Sequence, residues 1–213
     1  MKYIFFDIDG TLTESGLTSW DLITIGLGLD LQVHHNILEA LRDKKMSLQN
    51  AIDELSAYWI SSGHATKSEL KKFAHNSILR TDAQSTIKQL KTLDYSIILL
   101  SGSLDIFAAE LSSMIGADGF VTTSRAMWEE ENFKSFYYGL NQGELKLQAM
   151  QKFLNQNKCK HTQCVMVGNG SNDIESFNYI TESFCLADTT DLDAKNHAKY
   201  VINSLTDLLA YIS

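Results

Sequence analysis

Three runs of apolar residues limit most strongly what this chain can fold into. They cover residues 2–9 (KYIFFDID), 95–100 (YSIILL) and 163–167 (QCVMV), and each is followed directly by glycine or serine. A strand that is buried on both faces is almost continuously apolar, and such strands are typical of parallel sheets. The three runs therefore predict the central strands of a parallel sheet.

Segments with a helical spacing of apolar residues lie between and after these strands. The predicted helices cover residues 83–93, 104–115, 144–154 and 171–179. Two shorter apolar runs, residues 183–187 and 200–202, predict edge strands. Strands that alternate with helices favour a parallel sheet covered on both faces. We therefore expect an α/β fold with a three-layer, Rossmann-like parallel sheet core.

Residues 14–80 interrupt this alternation, because they show helical spacing and no convincing strand. The helical segments are residues 19–29, 33–42, 47–60 and 67–79, with Ser47 and Thr66 as expected N-caps. We predict that residues 14–80 form a helical insert after the first strand, while residues 1–13 and 81–213 form the core domain. Residues 120–138 are also irregular, and their aromatic content predicts a β-hairpin.

Charge and composition exclude several classes of partner. The chain has 18 Lys and Arg residues against 26 Asp and Glu residues, which gives a net charge of −8. Nucleic-acid binding normally requires a basic face, so no nucleic-acid partner is expected, whereas a small phosphorylated ligand needs only a locally positive site. No stretch reaches the ~18 apolar residues of a membrane span, so no membrane partner is expected.

The cysteines and the N-terminal residues indicate the cellular compartment of the protein. The three cysteines, Cys159, Cys164 and Cys185, cannot all pair within one chain, and the apolar run at the N-terminus stops at Asp7, unlike a secretory signal. Reduced thiols and a cytoplasmic protein are therefore expected.

Two aspartates follow the first predicted strand. Asp7 and Asp9 are two residues apart in the sequence DIDGTLT, so their side chains are expected on one side of the strand end. Two carboxylates this close favour a cation between them, and Mg²⁺ takes oxygen ligands. The alternative is that the two aspartates only cap a turn. For an isolated pair of aspartates at this spacing, that alternative would be favoured.

Three further signals follow other strands or open a helix. Ser101-Gly102-Ser103 comes directly after the second strand and offers a hydroxyl and backbone N–H groups to an anion, although an ordinary Ser-Gly turn has the same sequence. Lys146 lies early in a predicted helix, where most lysines are solvated. Gly168-Asn169-Gly170, with Asp173 three residues further on, follows the third strand and combines close backbone approach with oxygen ligands.

The order DIDGT, SGS, Lys146 and GNGSND resembles that of the haloacid dehalogenase (HAD) superfamily, and LLSGSLD and VGNGSND resemble its phosphoserine phosphatase-like branch. The resemblance implies a Mg²⁺-dependent phosphatase that acts on a small phosphomonoester. It also implies that the helical insert, residues 14–80, is a cap domain. It implies that Asp7 is the nucleophile that forms an aspartyl-phosphate, that Asp9 is the general acid and base, and that Lys146 offsets negative charge. Family members that cleave carbon–halogen bonds lack the second aspartate, so Asp9 favours phosphate esters.

The resemblance also implies contacts with substrate and metal. The residues implied to contact substrate are Thr11, Ser101, Gly102 and Asn172. The residues implied to bind Mg²⁺ are Asp7, Asp9, Asn169 and Asp173. The partner is then a small phosphorylated metabolite, and the protein is expected to be a monomer or homodimer.

The chain departs from the branch at two places. Asn169 replaces the aspartate usual in the fourth motif, which removes one negative charge from the expected metal site. Glu14 and Arg42 are the candidates to hold the amine and carboxyl groups of phosphoserine, but the substrate stays open. The alternatives are a phosphotransferase of the same fold, or a catalytically weakened protein that binds or senses a phosphorylated ligand.

Other residues suggest sites that we consider less favoured. Trp20, Tyr58 and Trp59 could form an aromatic cage for a quaternary ammonium group, but helix packing explains them better. The adjacent histidines His34 and His35 are expected at the surface. A zinc site at Cys159, His161 and Cys164 lacks a convincing fourth ligand.

Overall fold

A seven-stranded sheet forms the centre of the computed structural model, which describes residues 2–212. The strand order is β4-β3-β2-β1-β5-β6-β7, and every neighbouring pair is parallel except β3 and β4. The strands are β1 Lys2–Phe6, β2 Tyr95–Leu104, β3 Gly119–Glu129, β4 Asn132–Tyr137, β5 Cys164–Gly168, β6 Glu182–Leu186 and β7 Tyr200–Ile202. The predicted Rossmann-like parallel sheet is confirmed.

The helices lie between the strands and after the first one. They are α1 Ser19–Gly26, α2 Leu31–Arg42, α3 Leu48–Ile60, α4 Lys67–Phe73, α5 Ala83–Thr92, α6 Asp105–Ile115, α7 Gln142–Gln156, α8 Ile174–Tyr179 and α9 Leu192–His197. Within residues 2–212, none of them combines the length and the apolar character that crossing a membrane requires.

The alternation of side chains along β1 explains the three layers. Ile4 and Phe6 join an apolar cluster with residues of α5 and α6 on one face of the sheet. Tyr3 and Phe5 join a second cluster, with residues of α7, α8 and α9, on the other face. Because successive side chains of a strand point to opposite faces, a continuous apolar run supplies both clusters.

Helices α1–α4 occupy the expected insertion after β1. Both predicted N-caps are present: the side chain of Ser47 accepts from the backbone N–H of Asn50 (3.2 Å) and that of Thr66 from Glu69 (3.3 Å). Helix α4 stops at Phe73, and a short 3₁₀ turn carries the chain on to Asn76, so the helical region ends before residue 79. The division into core and cap domains stays a prediction.

The predicted hairpin is formed by β3 and β4 and packs against α3. The ring of Trp59, which is fully buried, lies 5.4 Å from that of Phe133 and 5.9 Å from that of Phe136. Trp20 of α1 contacts Phe136 at 5.0 Å. Helices from one part of the sequence and a hairpin from another therefore share one aromatic core.

The prediction that the adjacent histidines lie at the surface is wrong for His34. Its side chain is fully buried, and Nδ1 lies 2.7 Å from the hydroxyl of Thr24, whereas His35 is partly exposed and lies 2.9 Å from Asp21. Adjacent helical residues point in different directions, and here one of the two directions leads into the interface of α1, α2 and α3.

Candidate active site

The chain turns sharply at the end of β1. The strand ends at Phe6, three residues earlier than the apolar run suggests, and the Asp7 N–H donates to the Val167 carbonyl at 2.9 Å. Gly10 has a φ of 80°, and a Cβ built there would lie 2.3 Å from the amide nitrogen of Asn169. The loops after β1 and β5 pack closely at this point. Glycine is required there because it adopts this conformation without strain and has no Cβ to make that contact.

A buried lysine joins two of the predicted aspartates. Lys146 is fully buried in the first turns of α7, and its Nζ lies 2.7 Å from Asp7 Oδ1 and 2.8 Å from Asp173 Oδ1. The second oxygen of Asp173 accepts the backbone N–H groups of Asn169 and Gly170 at 3.0 and 3.1 Å. Asp173 therefore anchors Lys146 and the loop after β5 at the same time.

Burial governs the electrostatics of these groups. Burial raises the pKa of the Asp7 carboxyl, and the neighbouring Lys146 opposes that rise. Burial alone would lower the pKa of Lys146, but Asp173 and Asp7 together hold it above its usual value. Lys146 is a single ammonium that faces the carboxyl groups of Asp7 and Asp173, and Asp9 lies nearby. Acidic side chains therefore outnumber basic ones in this cluster.

Asp9 contacts the helix that follows it in the chain. Its carboxylate accepts the Ser19 backbone N–H at 2.7 Å, the Ser19 hydroxyl at 2.8 Å and the Ser103 hydroxyl at 3.2 Å. Burial raises the pKa of Asp9, and the hydrogen bonds from Ser19 and Ser103 act against it. The side chain is thus held between the first turn of α1 and the end of β2.

The Ser101-Gly102-Ser103 segment lies inside β2, which continues to Leu104, and not directly after the strand as the sequence predicts. Ser101 and Gly102 border the same space. Ser101 is almost completely buried, and its hydroxyl accepts the Ser103 N–H at 3.1 Å. A Cβ on Gly102 would meet the side-chain oxygen of Gln142 at 2.9 Å. Gln142, in the first turn of α7, accepts from the Thr123 hydroxyl and donates to the Gly139 carbonyl.

These groups surround one pocket of about 260 Å³ at the carboxyl ends of β1, β2 and β5. The residues that line it are Asp7, Asp9, Thr18, Trp20, Ser101, Gly102, Tyr138, Gln142, Asn169, Gly170 and Asn172. Most of the predicted site residues are therefore brought together. Three of them lie behind the wall: Lys146 and Asp173 are fully buried, as is Thr11, whose hydroxyl donates to Asn169 Oδ1 at 2.9 Å.

The structure adds residues that sequence reasoning did not place in this site. Ser19 holds Asp9, and Trp20, Gln142 and Tyr138 line the pocket. Arg80 donates to the carbonyls of Gly10 and Thr11 at 2.8 and 2.9 Å and so fixes the turn after β1. The only available signals were the position of Ser19 at a helix start and the aromatic character of Trp20.

The two candidates for holding a phosphoserine head group lie elsewhere. Glu14 and Arg42 are both exposed, and neither lines the pocket. Asp7 and Asp9 are the charged residues that do line it. The pocket walls within the described residues therefore offer no cation to a substrate carboxylate.

The residues present fit a hard divalent cation. Within residues 2–212, no three His, Cys, Asp or Glu side chains are grouped as a metal cluster. Asp7, Asp9 and Asn169, all of which carry side-chain oxygen atoms, nevertheless line one pocket. Oxygen donors and an excess of buried carboxylate suit Mg²⁺ better than they suit a soft metal.

Comparisons with known proteins agree with this geometry. A family model described as haloacid dehalogenase-like hydrolase matches residues 1–180. The comparison with curated protein sequences gives no match.

Solved structures resemble the chain over nearly its whole length. A phosphoserine phosphatase described as a phospho-aspartyl intermediate analogue is 21% identical, with a TM-score of 0.72, and the alignment covers 100% of this chain and 99% of that one. A substrate-bound phosphoserine phosphatase is 20% identical, with a TM-score of 0.73 and coverages of 100% and 98%. A HAD family hydrolase from Salmonella enterica serovar Typhi is 16% identical, with a TM-score of 0.80 and coverages of 99% and 70%. At these identities the likeness describes the fold.

Proposed function

Because this chain belongs to the haloacid dehalogenase-like hydrolase family, we propose that it is a Mg²⁺-dependent phosphatase that hydrolyses a small phosphomonoester through an aspartyl-phosphate. The observation that carries the proposal is the contact of Lys146 with both Asp7 and Asp173, beside Asp9 and Ser101, at one end of the sheet. The fold likeness to phosphoserine phosphatases supports it.

The first step requires an anionic phosphate to approach an anionic carboxylate. Lys146 reduces the repulsion from one side, and the Ser101 hydroxyl and the backbone N–H groups near Gly102 donate hydrogen bonds to the phosphate oxygens. A carboxylate oxygen of Asp7 then forms a bond to phosphorus while the bond from phosphorus to the alcohol oxygen breaks. Most of the rate gain in phosphoryl transfer comes from such positioning and electrostatics.

Asp9 moves protons in both steps. In the first step its carboxyl group gives a proton to the departing alcohol oxygen, which matches a pKa raised by burial. In the second step the carboxylate takes a proton from water, whose oxygen attacks phosphorus and releases Asp7 and inorganic phosphate. The hydrogen bonds from Ser19 and Ser103 hold Asp9 during this cycle.

Mg²⁺ would be held by Asp7, the backbone carbonyl of Asp9 and the amide oxygen of Asn169. Asp173 would position these groups indirectly, because it binds Lys146 and the backbone N–H of Asn169. When bound, the ion supplies positive charge that neutralises the carboxylates and the phosphate oxygens. A cytoplasmic location and a monomeric or dimeric state remain predictions.

Asn169 motivates one rival function, in which the chain binds a phosphorylated ligand and turns it over slowly or not at all. An amide in place of a carboxylate weakens attraction for Mg²⁺. The retained group of Asp7, Asp9, Ser101 and Lys146 favours catalysis over this rival. A phosphotransferase would use the same groups, with a different acceptor in place of water.

Replacement of Asp7 tests the proposal directly. Wild-type protein and Asp7→Asn are assayed on a panel of small phosphorylated metabolites, with and without Mg²⁺. We expect Asp7→Asn to lose more than about a thousandfold in turnover, because an amide cannot form the acyl-phosphate. Circular dichroism shows whether the fold is retained.

Asp94→Asn is the matched control. Asp94 is exposed and has a φ of 61°, a conformation that asparagine adopts readily, so this variant keeps both fold and activity. Turnover by Asp7→Asn at the wild-type rate would contradict the covalent mechanism. Absence of Mg²⁺-dependent phosphate release from the whole panel by the wild type would favour the binding rival.

A further inference from the structure

A second, apolar cavity lies in the helical layer next to the catalytic pocket. It has a volume of about 170 Å³. The residues that line it are Thr18, Trp20, Leu38, Leu41, Leu48, Ala51, Ile52, Leu55, Phe136 and Tyr138. All but Thr18 carry apolar or aromatic side chains, and none is charged.

The spacing of these residues shows that the cavity is a gap between helix faces. Leu38 and Leu41 lie one turn apart on α2, and Leu48, Ala51 or Ile52, and Leu55 follow one face of α3. Faces with this spacing ordinarily pack against one another in a core. Here they leave a space the size of a small molecule, with the small side chain of Ala51 in its wall.

The cavity and the catalytic pocket share three wall residues, Thr18, Trp20 and Tyr138. The indole N–H of Trp20 donates to the Gly102 carbonyl at 3.3 Å, and its ring meets that of Tyr138 edge-on at 5.6 Å. Trp20 thus touches the segment that would bind phosphate while its ring borders the apolar space. A substrate whose phosphate lies at Ser101 and Gly102 would direct its alcohol part toward this cavity.

The walls are unsuited to a charged leaving group. A serine head group carries an amine and a carboxylate, and taking either from water without a partner is costly. The candidate partners, Glu14 and Arg42, are exposed and line neither pocket.

Building on the proposed phosphatase function, we propose that the alcohol of the substrate carries an uncharged, apolar group about the size of a benzene ring, and that this group occupies the cavity. An apolar protein cavity of ~150 Å³ is large enough to bind benzene. The specificity residues are then Trp20, Leu48, Ala51 and Tyr138, and the substrate is an arylalkyl or branched alkyl phosphate.

The aromatic cage for a quaternary ammonium group, which the sequence favoured less than helix packing, is not formed. Of the three residues, Trp20 alone borders the cavity. Trp59 is buried and donates to Thr24 at 3.0 Å, and Tyr58 donates to the Asp30 carbonyl at 3.1 Å beside a different surface groove. The rest of the cavity wall is mainly leucine and isoleucine, whereas a cage for a quaternary ammonium group would need further aromatic rings or a carboxylate there.

Two pairs of alkyl phosphates test the proposal without a difference in leaving-group type. The first pair is benzyl phosphate and O-phosphoserine, and the second is 3,3-dimethylbutyl phosphate and phosphocholine, which share one shape and differ in charge. We expect kcat/KM to favour the uncharged member of each pair by at least about tenfold. A preference for phosphoserine or for phosphocholine would overturn the proposal while leaving the phosphatase function intact.

Filling the cavity gives a second, independent test. Ala51→Leu should lower kcat/KM for benzyl phosphate by about tenfold or more relative to its effect on ethyl phosphate. Ala57→Leu, the same substitution at an exposed position of α3, is the control. Leu48→Ala should act in the opposite direction and raise the preference for 1-naphthylmethyl phosphate over benzyl phosphate. An equal loss on every ester in a folded variant would overturn the proposal.

Binding without turnover separates this inference from the proposed function. Calorimetry in Mg²⁺ compares benzylphosphonate with 2-amino-3-phosphonopropionate, which mimics phosphoserine. Tighter binding of benzylphosphonate, weakened by Ala51→Leu but not by Ala57→Leu, supports the apolar site even if no ester is hydrolysed. Equal binding of the two phosphonates, or no response to Ala51→Leu, contradicts it.

Discussion

Asn169 ties the loop after β5 to the turn after β1. Its Oδ1 accepts the Thr11 hydroxyl at 2.9 Å, and its amide nitrogen lies against Gly10. Asn169 lines the pocket that Asp7 also lines. A single atom at this residue, nitrogen or oxygen, therefore sets the charge of the proposed metal site without changing its packing.

We expect Asn169→Asp to bind Mg²⁺ about tenfold more tightly. A charged oxygen attracts a hard cation more strongly, and an Asp carboxylate can still accept the Thr11 hydroxyl. Repulsion from Asp7 and Asp9 limits the gain. A Mg²⁺ titration of the initial rate measures it as a lower half-saturation concentration.

Asn155→Asp adds the same charge at an exposed position of α7 and should leave the titration unchanged. Equal half-saturation values for wild type and Asn169→Asp would place residue 169 outside the metal site. A large gain in rate even at saturating Mg²⁺ would favour the rival in which the chain mainly binds its ligand.

At the scale of elements, α1, α2 and α3 meet around a buried histidine. The Trp59 indole donates to the Thr24 hydroxyl, which lies 2.7 Å from His34 Nδ1, while His34 Nε2 is buried without a hydrogen-bond partner among the described residues. Burial lowers the pKa of His34 to about 4, against the attraction of Asp21. The three helices therefore pack around a neutral imidazole.

This imidazole makes stability depend on pH in a defined window. The unfolded chain binds a proton at His34 near pH 6.5, whereas the folded chain resists it down to about pH 4. The contribution of His34 is therefore present above pH 6.5 and is lost as the pH falls toward 4, at a cost of about 2–3 kcal/mol in unfolding free energy.

Urea unfolding at pH 7 and at pH 4.5 measures the loss. His34→Gln should shrink the difference between the two pH values, whatever its effect on absolute stability. His64→Gln changes an exposed histidine and should leave the difference as in the wild type. An undiminished difference in His34→Gln would show that His34 is not the group that titrates.

Some of these elements could be predicted from the local sequence, whereas features that depend on contacts between elements could not. The buried strands were predictable because a strand covered on both faces is a continuous apolar run in the sequence. Asp7 and Asp9 were located because they lie at the end of such a run. The burial of His34 was not predictable, because it depends on Thr24 and Trp59, which are distant in sequence. The apolar cavity was missed for the same reason, since its wall combines α1, α2, α3 and the chain around β4.

Across the whole molecule, one apolar cluster runs from the sheet into the helical layer. Phe6 and Leu99 of the sheet belong to the same cluster as Leu55, Trp59 and the hairpin residue Phe133. A shared core couples the stability of the parts that it joins. The proposed division into core and cap is therefore compatible with a single cooperative unit.

The tryptophans provide a test of this cooperativity. Trp20, Trp59 and Trp128 all lie in the inserted helices or the hairpin, so their fluorescence reports that layer, while far-UV circular dichroism reports every helix and strand. We expect the two thermal transitions to have the same midpoint. Loss of the tryptophan signal at a clearly lower temperature would show that the helical layer unfolds alone.

The central position of β1 has a consequence for the synthesis of the protein. This strand leaves the ribosome before either of its neighbours, which begin at Tyr95 and Cys164, and before Lys146 of α7, which contacts the Asp7 side chain. Contacts so distant in sequence form slowly. A nascent chain therefore carries its nucleophile long before it has the lysine that neutralises it, and β1 has no partner strand until β2 has been made.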